Sequence, residues 1–177
     1  MKVREATRAD ARQIVAIFHD TIHTVNKKDY TTEQVNAWSP AVPDADEWAE
    51  RKFHNRTTFV ADDDGTIVGF GELEDNGHVD CFYCHRACQR RGVGSAILRR
   101  IEDKARTLRL TRLFTEASVT ARPFFETRGF AVAKRQSVIC RGVELANFVM
   151  EKTLTANIPS HATSEPAPGT ATSSDKG

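Results

Sequence analysis

Residues 57–84, TTFVADDDGTIVGFGELEDNGHVDCFYC, constrain the fold more than any other stretch of the chain. Two dipeptides, Asp64-Gly65 and Asn76-Gly77, stand between runs of β-forming residues. Both provide the positive-φ residues that tight hairpin turns need. The spacing predicts three consecutive antiparallel strands, over about 57–62, 66–74 and 78–84. Whatever surrounds this stretch must cover a sheet.

Helical spacing flanks it on both sides. KVREA at the N-terminus reads as a short first strand. Thr7 followed by Asp10 has the form of a capping box, with the carboxylate in the positive first turn. Ile14, Ile17, Phe18 and Ile22 then recur at helical intervals. TTEQVNAW reads as a second short helix capped by Thr31 or Thr32. Pro40 and Pro43 break the next segment into a loop before one or two further helical turns. After residue 92, Ile97, Leu98, Ile101, Ala105 and Leu108 form one apolar stripe, with Arg99, Arg100, Glu102, Asp103 and Arg106 facing elsewhere. LTRLFTEAS reads as a strand. ARPFFETRGF reads as a short helix, with Pro123 in its first turn and Gly129 just past its end. A closing hairpin over about 132–140 and 143–152 turns at Arg141-Gly142. The order β-α-α-β-β-β-α-β-α-β-β predicts an α/β (α+β) domain built on a sheet of mixed direction.

A chain of 177 residues is long enough for one sizeable core. The folded domain is expected over 1–154. The remainder, TANIPSHATSEPAPGTATSSDKG, is rich in Ala, Ser, Thr and Pro and reads as a disordered tail over 155–177. A formal net charge of +1 gives no electrostatic ground for bulk binding to nucleic acid or an anionic membrane. No apolar run approaches the roughly 20 residues of a membrane span, and MKVREATRAD lacks the apolar core of a secretory signal. The default expectation is a cytoplasmic protein. Its four cysteines, Cys81, Cys84, Cys88 and Cys140, then read as free thiols.

The chemistry concentrates where the third hairpin strand gives way to a helix, in CQRRGVGSAILRRIE. A helix N-terminus carries unpaired N–H groups and a partial positive charge. Gly92 and Gly94 let an anion approach that backbone, and Gln89, Arg90 and Arg91 add donors and charge. Together they describe a phosphate cradle. It is not a Walker loop, because no Gly-Lys-Ser/Thr follows, and the dinucleotide fingerprint would need a glycine where Ile97 stands. A solvated basic turn before an ordinary amphipathic helix is the alternative on spacing alone.

Three segments carry a resemblance that narrows the choice. QRRGVGSAILRRIE resembles the acetyl-CoA pyrophosphate loop of the GNAT acyltransferase superfamily, Gln/Arg-x-x-Gly-x-Gly/Ala at a helix start. ARPFFETRGF resembles that superfamily's second hallmark, Ala-x-x-Phe-Tyr-Glu-x-x-Gly-Phe. HTVNKKDYTTEQVNAWSP resembles the N-terminal helices of a bacterial subgroup of small members. The likeness spans roughly residues 1–154. It implies a GNAT fold, a central twisted sheet that is mostly antiparallel and flanked by helices. It also implies an N-acetyltransferase that moves an acetyl group from acetyl-CoA to a primary amine by direct attack in a ternary complex.

The same resemblance assigns residues. Acetyl-CoA as co-substrate would lie on Gln89, Arg90, Arg91, Gly92, Val93, Gly94 and Ser95, with its pantetheine arm along Phe82, Tyr83 and Cys84 and against Phe125. A backbone N–H on that strand would polarise the thioester carbonyl. The amine must lose a proton and the leaving thiolate must gain one. Asp80 is the favoured base, then Glu72, with His78 also on these strands. Alternation along the strand puts Asp80 and Phe82 on one face and Cys81 and Tyr83 on the other. The usual acid of the second hallmark is a tyrosine, and Phe125 stands in its place, so Ser118 and Tyr83 are the hydroxyls expected to serve. That replacement leaves open a non-catalytic acyl-CoA-binding or sensing protein. An acetyltransferase acting on a protein or aminoacyl-tRNA amine is a further alternative.

Acceptor contacts are expected from His23, Tyr30, Gln34 and Trp38 on the first two helices, which would suit a small-molecule amine. Cys81, Cys84, His85 and Cys88 have the residue types of a zinc site, but no second Cys/His pair follows at finger spacing and strand alternation separates Cys81 from Cys84, so no metal is expected. Neither membrane nor nucleic acid is expected as a partner. A homodimer would fit the resemblance, though nothing in the sequence demands one.

Overall fold

The computed structural model describes residues 1–155. Except for Thr155, the tail expected over 155–177 lies outside the described residues. β1 (Lys2–Glu5) leads into a 3₁₀ turn at Arg8–Asp10 and then α1 (Ala11–Thr24). The Thr7–Asp10 capping box forms, but around the 3₁₀ turn rather than the α-helix itself. After a second 3₁₀ turn come α2 (Thr32–Trp38), capped by Thr31, and α3 (Ala45–Lys52). β2 (Arg56–Asp63), β3 (Thr66–Glu74) and β4 (Val79–Cys84) follow as consecutive antiparallel strands. Then come α4 (Val93–Thr107), β5 (Arg112–Ser118), α5 (Arg122–Glu126), β6 (Ala131–Cys140) and β7 (Val143–Thr153).

The strands form two antiparallel sheets, in the orders β1-β2-β3-β4 and β5-β7-β6. The mixed direction expected from the element order is confined to one place, a parallel bridge between His78 and Phe114 that joins the sheets. The first sheet is covered on both faces. Ile14 and Ile17 of α1 and Trp48 of α3 pack with Val60 and Phe70 on one side. Ile97, Leu98, Ile101 and Ala105 of α4 pack with Phe59, Leu73 and Leu113 on the other. Leu108, expected in that stripe, lies just past the end of α4 and is exposed. At Gly71 an added Cβ would stand 2.8–3.0 Å from Phe82, Ile97 and Ile101, so the missing side chain is what lets α4 sit so close to β3. No helix among the described residues is long and apolar enough to cross a membrane.

Two bulges break the simple alternation. Between β2 and β3 the register shifts at Ala61/Asp62, and between β3 and β4 it shifts between Gly71 and Leu73. At the second, Gly71 pairs with Phe82 but Leu73 pairs with Val79, so β4 carries one residue more than β3 does. This corrects the face assignment made from alternation. Asp80 and Cys81 both turn toward Lys52, while Phe82 turns to the α4 side. An extra residue in one strand resets the pleat, and Asp80 lies on the reset side.

Candidate active site

β4 and β5 meet at one end only. Beyond the His78 bridge, where Phe114 N donates to Gly77 O (3.0 Å), β4 is bonded only to β3 and β5 only to β7. The strands diverge and leave a cleft of about 770 Å³. Asp80, Phe82, Tyr83 and Cys84 line it from one strand, and Thr115 to Ser118 line it from the other. The β4 backbone edge that faces the cleft therefore has no strand partner among the described residues.

One end of the cleft is the start of α4. Gly92 caps the helix with φ of +84°, and Arg90 also has positive φ. Such a turn requires glycine at the cap or a strained side chain. The first helical bond runs from Ala96 N to Gly92 O, so the amides of Val93, Gly94 and Ser95 have no carbonyl acceptor among the described residues. Gly94 N–H faces the Cys84 sulfur, which burial pushes up to about 12 despite that contact, so Cys84 stays a neutral thiol. Arg90 and Arg128 line this end as well, with Arg128 bonded to Ser95 Oγ (2.6 Å). Arg91 does not line the cleft, and Gln89 donates its side-chain amide to Cys84 O (2.6 Å).

Four residues back along β4, roughly 13 Å of strand, lies the other end. Lys52 Nζ stands 2.5 Å from Asp80 Oδ2 and 3.2 Å from Glu72 Oε2. Arg56 Nη1 reaches the same two oxygens at 2.5 and 3.3 Å, and its Nη2 bonds Glu74 (3.0 Å). Glu72 is fully buried, and its Oε1 has no partner among the described residues. Burial, reinforced by the Asp80 charge, raises the Glu72 carboxyl above its ordinary range against the pull of both cations. Burial would raise Asp80 too, but the Lys52 hydrogen bond and the charges of Lys52 and Arg56 outweigh it, so Asp80 is held below its ordinary range. Glu72, Asp80 and Cys81 offer ligand atoms close enough for a metal, yet the Lys52 ammonium and Arg56 guanidinium already meet the two carboxylates.

Sequence reasoning placed several of these residues and missed others. Asp80, Tyr83 and Ser118 line the cleft, and Glu72 sits behind Asp80. Burial pushes the Tyr83 phenol well above its ordinary range, so it keeps its proton. Ser118 Oγ accepts from Asn26 Nδ2 (3.3 Å) and Ala121 N (3.0 Å), leaving its own proton free to donate. Phe125 lines the cleft from a cluster of rings that includes Phe82, Phe124 and Phe130. His78 bonds Glu116 (2.5 Å) and Glu74 (3.3 Å) at the closed end of the split.

Of the four expected acceptor contacts, only Trp38 reaches the cleft. His23 donates to Ser39 O (2.7 Å). Tyr30 donates to Ala146 O (2.7 Å) and accepts from Val119 N. Gln34 donates to Glu144 O (2.8 Å). Tyr30 and Gln34 thereby fasten α2 and its flank to β7 and the loop after β5, while His23 ties α1 to the C-cap of α2. Lys52 and Arg56 went unnoticed because they arrive from a different helix and strand. No local signal marks them, since Arg56 pairs with Glu74 only through the register shift at Ala61/Asp62. Asn26, Lys28 and Glu116 also line the cleft without any mark in the sequence.

The site is thus a split between two sheets with a helix N-terminus at one end and titratable groups at the other. Residues 26–154 match the family model described as an acetyltransferase (GNAT) domain, and the chain belongs to this GNAT acetyltransferase family. It is 31% identical over 150 residues to the "Uncharacterized N-acetyltransferase YafP" of Escherichia coli (strain K12), spanning 85% of this chain and 94% of that protein. A GCN5-related N-acetyltransferase from Rhodopseudomonas palustris superimposes with a TM-score of 0.81 at 33% identity, over 86% of this chain and 95% of the other. The fold is shared with yncA from Salmonella typhimurium, solved with acetyl-CoA, at a TM-score of 0.68 and 21% identity over 94% and 99% of the two chains.

Proposed function

We propose that this chain is an N-acetyltransferase that moves an acetyl group from acetyl-CoA to a primary amine by direct attack in a ternary complex. The observation that carries the reading is the cleft itself. It joins a helix start whose amides lack carbonyl acceptors to an ionised carboxylate, along a strand edge unpaired among the described residues. The fit to the coenzyme rests on the amides of Val93, Gly94 and Ser95, with Arg90 and Arg128 beside them, which suit a pyrophosphate. The free β4 edge suits the amide-bearing pantetheine arm, which would pair as an added strand. Acetyl-CoA supplies an activated thioester, and a β4 N–H would polarise its carbonyl.

The remaining roles fall to this chain's side chains. Asp80, ionised and open to the cleft, takes the proton that the acceptor ammonium must lose before it attacks. Glu72 is enclosed and acts through the shared Lys52 rather than on the acceptor. Tyr83 or Ser118 protonates the departing thiolate, since both hydroxyls keep a proton at neutral pH. Trp38, Asn26 and Lys28 flank the place left for the amine.

Calorimetric titration with acetyl-CoA, followed by thiol release against a panel of amines, tests this reading. Binding with release for one amine class supports it. Tight binding with no release from any amine would replace it with a sensing role, traceable to Phe125 at the tyrosine position. Absence of binding would overturn the reading.

A further inference from the structure

Two hairpins turn on the same two-residue geometry with different residues. In the β2–β3 turn, Asp64 and Gly65 have φ of +53° and +89° between the paired Asp63 and Thr66. In the β6–β7 turn, Arg141 and Gly142 have φ of +48° and +81° between the paired Cys140 and Val143. Both show the pattern of a type I′ turn, which favours Asn, Asp or Gly at its first central position because those residues tolerate positive φ. Asp64 follows that preference. Arg141 does not. Its long side chain cannot bond its own backbone as Asn or Asp can, so the left-handed conformation is strained there. The turn gives no reason to keep arginine, so the reason lies in what its side chain reaches.

That side chain reaches the end of α2. Arg141 Nη1 donates to Ala37 O (2.7 Å) and approaches Trp38 O at 3.4 Å. The Cys140 thiol beside it donates to the same Ala37 carbonyl (3.2 Å). Ala37 and Trp38 are the last two residues of α2, and no basic residue stands in that helix's own last turn. The final carbonyls of a helix lack intrahelical donors and carry partial negative charge, so a guanidinium suits them on both counts. Among the described residues, only the β6–β7 tip bonds the carbonyls of Ala37 and Trp38. Seven residues are too few for a helix to hold its own end in place, so this cap from outside matters.

The residue held by this cap is Trp38. It is half-buried and lines the cleft, whereas Arg141 does not. Tyr30 meets the Trp38 ring edge-on at 5.4 Å. Ser39, the next residue, is held from α1, with His19 Nδ1 2.8 Å from its Oγ and His23 bonded to its carbonyl. Those contacts act on the ring edge and on the chain beyond it, and the β6–β7 tip acts on the backbone that carries the ring. We propose that Arg141 is a positioning residue for the acceptor: by capping α2 it holds Trp38 against the cleft, and so sets acceptor affinity without touching the acceptor. The kinetic consequence rests on the acetyltransferase reading. The Arg141–α2 latch does not. It explains an arginine in a turn that favours asparagine, because asparagine would satisfy the turn and leave the end of α2 uncapped.

Arg141→Asn in the full chain separates the side chain from the turn. Asparagine suits positive φ, so the hairpin should form at least as well and the melting temperature should hold or rise. Quenching of tryptophan fluorescence by acrylamide should increase, because Trp48 is buried and Trp38 is the ring that a loosened α2 releases. Acrylamide is uncharged, so losing a cation near the ring does not itself alter the quenching. With the amine that releases thiol fastest, KM for that amine should rise about tenfold, as for a lost hydrogen bond from a charged donor, while kcat and KM for acetyl-CoA stay unchanged. Arg141→Lys keeps a nitrogen donor, and one nitrogen makes both contacts, so it should restore quenching and amine KM. Unchanged quenching in Arg141→Asn overturns the proposal. So does increased quenching with an unchanged amine KM, or an Arg141→Lys variant that behaves like Arg141→Asn. If no amine releases thiol from the wild type, the acetyltransferase reading falls and quenching alone decides the latch: a rise supports it and no rise overturns it.

Discussion

The two ends of the cleft are built in different ways. The α4 end is made from backbone: consecutive amides of one helix start, exposed because Gly92 turns the chain and Ser95 lies only three residues on. The Asp80 end is made from side chains of α3, β2, β3 and β4, brought together from positions 52, 56, 72 and 80. A site made of local backbone needs only the right residues in a row. A site made of four elements needs the tertiary fold to be right first. The first should therefore be easy to damage without unfolding the protein, and the second should couple chemistry to stability.

The largest expected effect is on turnover. Asp80→Asn removes the proton acceptor and should lower kcat by about 10²- to 10⁴-fold, the usual range for a lost general base. Calorimetry should find acetyl-CoA affinity unchanged, because Asp80 lies at the opposite end of β4 from the α4 amides. Equal loss of affinity would merge the two ends into one unit and break the comparison.

Gly94→Val is the converse. A Cβ there would stand 3.2 Å from the Phe124 ring and 3.4 Å from Phe82, with the valine methyls reaching further into the cleft. Coenzyme affinity should fall by about 100-fold, equivalent to about 3 kcal/mol, while thermal melting shifts little. Unchanged affinity in a folded variant would mean that these amides do not hold the pyrophosphate.

Arg56→Met probes the coupling to stability. It leaves the buried Glu72 and the half-buried Asp80 with Lys52 alone. Removing one member of a buried ion cluster typically costs about 3–5 kcal/mol. The value here should sit near the lower figure because Lys52 remains. Denaturant unfolding would measure it, and a loss under about 1 kcal/mol would show that the cluster is catalytic furniture rather than part of the core.

This division also explains what was legible in the sequence. The hairpin dipeptides at 64–65, 76–77 and 141–142, the helix stripes and the α4 start are all local signals, and the elements they predict form. The bulges are not local signals. A hairpin counted outward from Asp63 and Thr66 would set Arg56 opposite Leu73, but the shift at Ala61/Asp62 sets it opposite Glu74. The shift in β4 moves Asp80 onto the Lys52 side. One inserted residue in each strand thus assembles the charged cluster, and composition and alternation carry no trace of it. Tyr30 and Gln34 mislead for a related reason. Polar groups on α2 and in the turn before it read as ligand contacts until the fold shows the β7 carbonyls they satisfy.

The smallest expected effect is the most discriminating, a shift in pH dependence rather than a loss. In the wild type, burial pushes Asp80 up, but the Lys52 hydrogen bond and the two nearby cations hold it down. Lys52→Gln removes one of the two cations that stand 2.5 Å from Asp80 and leaves burial less opposed, so the Asp80 carboxyl should protonate at higher pH. A base works only when deprotonated, so the acid limb of kcat/KM should move to higher pH, and the rate at neutral pH should fall only several-fold. Glu72 adds a second consequence. It also loses Lys52, and with its own carboxyl already raised by burial it should hold its proton more firmly. A neutral Glu72 no longer repels charge on Asp80, which partly offsets the shift and makes the two carboxyls titrate as a coupled pair. Adding Glu72→Gln to Lys52→Gln should therefore sharpen the limb to a single step and move it back toward lower pH. A limb that stays put in the single variant would show that Lys52 does not set the base. A double variant identical to the single one would remove Glu72 from the titration and leave Asp80 acting alone.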